Sequence, residues 1–194
     1  MMAVGIGAEA QENYSELIRM YREKIKAEHI EDDRSPLNEN DFQHIYYFKA
    51  NPKYKINGRL IPFAERDTVT IPTSSGKQKK FIRAGKIEFQ LHSGKYQLTA
   101  YLGTKAAVPD HEYFIPFKDK TNGNRTYEGG RFLEIATDAV VNGIVEIDFN
   151  KAYNPWCAYS DGFNCPIPPV ENELAISIKA GEKKYKGEKK HHKK

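Results

Sequence analysis

The chain has 194 residues, 39% of them hydrophobic and 29% charged, which excludes a disordered or fibrous protein and leaves a globular fold, most simply of one domain. No stretch is long and apolar enough for a helix to span a membrane. The net charge of +4 sits at one end: the residues after Gly181 carry seven lysines against two glutamates, so the basic balance belongs to a tail and the body has no excess of cations for specific nucleic-acid recognition.

Residues 1–11 read as a leader. Gly5, Gly7 and Ala10 mimic a dinucleotide fingerprint, but no strand precedes them, so that reading is rejected. Ala8-Glu9-Ala10 has the A-x-A form of a signal-peptide end, without a basic segment before it. Export to the periplasm and a plain leader on a cytoplasmic protein both stay open. Tyr14, Leu17, Ile18, Tyr21 and Ile25 then recur at helical spacing, and Asn13 with Glu16 has a capping-box pattern. Ser35-Pro36 suits the start of a short second helix through Phe42.

From His44 the pattern turns to strands. They are expected over 45–48, 54–63, 68–71, 81–83, 87–91, 96–102, 113–117, 131–135, 144–149 and 174–178. The 87–91 and 96–102 runs alternate around Ser93-Gly94 and form a hairpin. Twelve tyrosines and ten phenylalanines favour strands as well. The fold class is therefore mainly β: an antiparallel barrel or bent sandwich of about ten strands, preceded by an N-terminal amphipathic helix. One β-rich domain over residues 12–182 is expected, followed by a solvated basic tail over 183–194.

Three segments carry a resemblance. They are FKDKTNGNRTYEGGRF from Phe117 to Phe132, DFNKAYNP from Asp148 to Pro155, and CAYSDGFNCPIPPVEN from Cys157 to Asn172. With Ala180-Gly181-Glu182 they resemble a widespread prokaryotic domain-of-unknown-function family, from about Ser35 to Glu182. The resemblance implies a shared fold and makes these motifs candidates for a site, with no activity attached.

The residues themselves suggest roles. In the first motif Asp119, Thr121, Tyr127 and Arg131 can converge at one end of the sheet. Asp119 and Arg131 are read either as an ion pair fixing the turn, or as a pocket where Arg131 grips a small anionic ligand and Asp119 or Tyr127 handles a proton. In the second, alternation puts Val145, Ile147 and Phe149 in the core and leaves Asp148 to water or a pocket. Asp148 and Asn150 can instead bond the turning backbone near Asn154. Tyr153 to Pro169 gathers both cysteines, the only tryptophan and four of the ten prolines. Prolines stiffen such a loop, and Cys157 with Cys165 can staple it as a disulfide in an oxidising compartment. A lone C-x7-C is a poor zinc pattern, so no metal or cofactor is expected. The functional expectation is a small-molecule binding module with a polar, arginine-bearing pocket. The alternatives are a hydrolase-type enzyme using Asp119, Tyr127 or Asp148, and a structural or interaction domain.

Overall fold

The computed structural model describes residues 5–104 and 111–191, with side chains from Gln11 onward. Helix α1 spans Gly5–Glu31. It runs back through Asn13, so Asn13 lies inside the helix and caps nothing. Tyr14 and Ile18 pack on Ala50, while Leu17, expected on the same face, points to solvent at 55% exposure. The next helix is a short 3-10 turn, Glu39–His44, and it starts at Asn38 rather than Ser35. Asn38 Oδ1 accepts from Asn40 N (3.0 Å) and Asp41 Oδ2 from Asn38 N (2.6 Å), so two otherwise orphaned donors are satisfied.

Eight strands follow among the described residues: β1 (Lys55–Pro62), β2 (Thr68–Pro72), β3 (Gln78–Leu91), β4 (Gly94–Gly103), β5 (Glu112–Asp119), β6 (Arg131–Ala136), β7 (Ile144–Asp148) and β8 (Glu173–Leu174). They form one sheet in the order β6-β5-β4-β3-β1-β7, with β2 on β3 and β8 on β5. The pairs are antiparallel except β5 with β8, and the sheet curls into a half barrel. The β3–β4 hairpin turns at Leu91 and Gly94 as expected. Residues 45–48 do not make a strand; Tyr47 forms a single bridge to Glu182. Two expected short strands are one long β3.

That long strand serves both faces of the sheet. Phe81 and Ile87 share sequence parity and would share a face on a regular strand. Between Arg83 and Gly85 the register slips by one residue, with Ala84 extra, and the bulge turns the second half over. Ile87, Phe89 and Leu91 therefore join Leu98, Ile115, Phe117, Val145, Ile147 and Phe149 in the main core. Phe81 instead joins Ile71, Tyr101, Phe114 and Phe132 on the opposite side. The segment from Tyr153 to Pro169 covers this second cluster: Tyr153 bridges Phe132, and Pro166 bridges Thr73.

Strands β4 and β5 touch in register only at Tyr101 and Phe114. Pro116 has no N–H to donate, and the two strands part there. Asn172 fills the gap. Its Nδ2 donates to Thr99 O (2.9 Å) and Pro116 O (2.7 Å), and its Oδ1 accepts from Thr99 N (2.7 Å). One buried amide thus replaces missing ladder bonds.

Candidate functional site

Most of the residues singled out by the sequence fall into three networks, two of which hold the C-terminal segment. Asp119 and Arg131 form the first. Both side chains are fully enclosed, and Arg131 Nη2 meets Asp119 Oδ2 at 2.8 Å. The guanidinium also donates to the carbonyls of Ile178 (3.0 Å), Ala180 and Glu182 (3.2 Å). In an extended chain alternate carbonyls point the same way, which aligns those of Ile178 and Ala180; past the left-handed Gly181 the Glu182 carbonyl meets the same planar group. Asp119 Oδ1 accepts from the backbone of Thr121 and Ile178. Burial lowers the Arg131 pKa, and Asp119 opposes that shift. Thr121 bonds Thr126 (2.8 Å) within the same turn.

The turn glycines are needed here. Gly130 has φ +94°, and a Cβ on it would lie 2.8 Å from Phe117 O. Gly181 has φ +73°, and a Cβ there would lie 2.5 Å from Ala152 O. Both positions combine a left-handed backbone with close approach of another chain segment.

The second network is Asp148 and Asn150. Asp148 was expected to face water or a pocket; α1 covers it instead. Tyr14 OH lies 2.9 Å from both carboxylate oxygens, and Asn150 Nδ2 donates to Tyr14 OH at 2.8 Å. Burial and the Asp148 carboxylate both raise the Tyr14 pKa. Asp148 Oδ1 also accepts from Asn150 N, and Asn150 bonds the backbone of Asn51, so the backbone these two hold is their own turn and Asn51, not the turn near Asn154.

The third network contains Asn154 and a residue the sequence reading missed, Glu182. Glu182 is 3% exposed. Its carboxylate accepts from Asn154 N (3.1 Å), Asn154 Nδ2 (2.7 Å) and Tyr159 OH (2.5 Å). Burial nevertheless dominates and pushes its pKa up to about 7. Ala180-Gly181-Glu182 was visible as a motif, but the carboxylate sits beside a glycine in a segment that reads as tail.

Glu182 lines a cavity of about 230 Å³ between α1 and the 150–159 segment. Tyr21, Arg22, Ile25 and His29 from the helix form one wall, and Tyr47, Tyr153, Trp156 and Tyr159 form the other. Arg22 stacks over Tyr47 at 4.2 Å and donates to Phe48 O, while its buried Nε has no partner. Burial lowers the His29 pKa, so its imidazole favours the neutral form. At the mouth Glu134 accepts from Tyr153 OH at 2.7 Å. Close packing raises the Glu134 pKa, but solvent still reaches the carboxylate and screens it.

Asp119, Arg131, Asp148 and Cys157 do not share this cavity; of the candidates only Asn150 lines it. Cys157 and Cys165 are joined by a disulfide with Cα atoms 6.3 Å apart. Tyr127 OH reaches Cys157 O at 3.4 Å, so the loop of the first motif meets the stapled loop. Among the described residues no cluster of His, Cys, Asp and Glu could hold a metal ion, and no helix is long and apolar enough to cross a membrane.

A family model described as "Protein of unknown function (DUF1684)" matches residues 40–183. The solution NMR structure of an uncharacterized protein of Haloarcula marismortui is similar, with a TM-score of 0.63 and 30% identity, covering 87% of this chain and 97% of that one. No curated protein matches.

Proposed function

The chain belongs to the DUF1684 family, and from its geometry we propose that it is a small-molecule binding module whose pocket is the cavity between α1 and the 150–159 segment. The observation that carries this reading is the buried Glu182 carboxyl inside an aromatic-walled cavity of about 230 Å³. A concave site with apolar walls and a few placed polar groups is the usual form of a ligand pocket. The arginine of this pocket is Arg22, not Arg131. Arg22 would take the anionic group of a small ligand, and Glu182 would accept a hydrogen bond from another part of it. Asp119, Thr121, Arg131, Asp148, Asn150 and Asn154 then act one step back: they hold α1 and the Glu182 segment in place. Tyr127 props the stapled loop.

Ligand-observed NMR with a mixture of small carboxylic acids and phosphate esters tests the proposal. Some members should bind the natural protein with Kd below about 1 mM and lose binding when Ile25→Trp fills the cavity. Absence of binders, or a set of binders none of which is lost in Ile25→Trp, would overturn it. A second reading, an acid–base enzyme, rests on the Glu182 pKa near neutrality. It would require a ligand whose turnover is lost in Glu182→Gln while its binding persists.

A further inference from the structure

A second depression of about 360 Å³ lies on the outer face of the sheet, beside the disulfide. Its floor is the aromatic cluster Phe81, Phe114 and Phe132, with Phe81 and Phe114 stacked at 5.4 Å and Phe114 edge-on to Phe132 at 4.8 Å. Its rim is the stapled loop, where Trp156 meets Phe163 edge-to-face at 5.2 Å. Lys79 also lines it. Alternation along β3 puts Lys79 on the face of Phe81, two residues on. Among the described residues no carboxylate lies within ion-pair distance of Lys79, although lysines 24, 55, 86, 184 and 190 each have one. Burial alone lowers its pKa. A half-buried cation without a counter-ion, at the edge of an aromatic trough, is incomplete as it stands.

We propose that this groove binds a small carboxylate with an apolar body, the carboxylate on Lys79 Nζ and the body on the phenylalanine floor under Trp156 and Phe163. The chemistry on both sides is complementary. Aromatic faces take aliphatic or aryl groups, and a lysine ammonium meets a carboxylate by a charge-assisted hydrogen bond. The disulfide holds the rim: Cys165 lines the groove, and Cys157 follows Trp156 directly. This site is separate from the pocket of Glu182. The two share only the wall formed by Glu134, Tyr153 and Trp156.

Isothermal titration of the intact, oxidised protein with 3-phenylpropanoate, octanoate and the neutral 3-phenylpropanamide tests the proposal, with Trp156 fluorescence as a second readout at the rim. The acids should bind at least about tenfold more tightly than the amide. Lys79→Gln should erase that difference, and Lys79→Arg should keep most of it. Ile25→Trp, which fills only the other cavity, should leave acid binding unchanged. Four results would overturn the proposal: no acid binding up to about 10 mM, equal binding of acid and amide, indifference to Lys79→Gln, or loss of binding in Ile25→Trp. The last would move the acid to the first pocket and leave the reading of that pocket standing.

Discussion

At the scale of single residues, buried charge does most of the organising. Arg131 and Asp119 are both out of water, so each needs the other. Removing one leaves an uncompensated charge, which typically costs about 3–5 kcal/mol. Arg131→Ala and Asp119→Ala should each destabilise the protein in urea titrations, and the double variant should cost less than the sum of the two. Additive losses would show that the pair is not coupled. Glu182 acts differently, because its folded pKa is raised from 4.5 to about 7. Between those values the folded state holds more protons than the unfolded one, so this residue makes stability fall as pH rises through the window. Below about pH 4.5 both states are protonated and the cost vanishes; above pH 7 it is complete, roughly 3 kcal/mol. Stability curves of the natural protein and Glu182→Gln should therefore diverge between pH 4.5 and 7, with the natural protein losing ground. A difference independent of pH would show that Glu182 ionises normally. Sequence patterning offered the Arg131–Asp119 pair as one of two readings, because the motif placed both near one turn. It did not foresee Glu182, because nothing local marks a glutamate as buried.

At the scale of elements, side chains substitute for backbone pairing in three places. Asn172 joins β4 to β5 where Pro116 interrupts the ladder. Arg131 and Asp119 hold the extended 178–182 segment, which lies beyond the end of β8. Tyr14, Asp148 and Asn150 lock α1 onto the end of β7. Each motif of the resemblance supplies one such splint from polar residues that end up dry: Asp119 with Arg131, Asp148 with Asn150, and Asn172. Strand periodicity located six of the strands well, since alternation reports which face is buried. It overestimated the C-terminal strand, because past β8 the chain makes only isolated backbone bonds, such as Lys120 N to Ile176 O and Phe48 N to Gly181 O, alongside those to the Arg131 and Asp119 side chains. It also divided β3, because a bulge breaks the alternation that marks a strand. The disulfide adds a covalent tie of about 2–3 kcal/mol to the loop that walls both depressions.

At the scale of the whole molecule, the basic C-terminal segment is part of the fold. It was expected to be solvated. Through His191 it instead lies along the body: Lys184 N donates to Arg125 O, Lys186 N to His44 O and Lys190 N to Tyr159 O, while Lys190 Nζ pairs with Asp41. Tyr185 stands edge-on to Tyr159 at 5.2 Å. Truncation after Glu182 should therefore lower the melting temperature by about 4 °C or more, whereas a truly solvated tail could be removed without effect. An unchanged melting temperature in that variant would show that these contacts add nothing. The sequence alone determined the mainly β class, the hairpin, the preceding helix, the cysteine pair and the family motifs. All of these depend on local spacing or short separations, which a linear pattern records. Only the tertiary structure decided that Asp148 lies under the helix, that Arg131 binds the C-terminal segment, and that Glu182 and Lys79 line separate cavities. Those placements depend on which distant segments exclude water from which side chain, and burial of that kind is a property of the assembled layers.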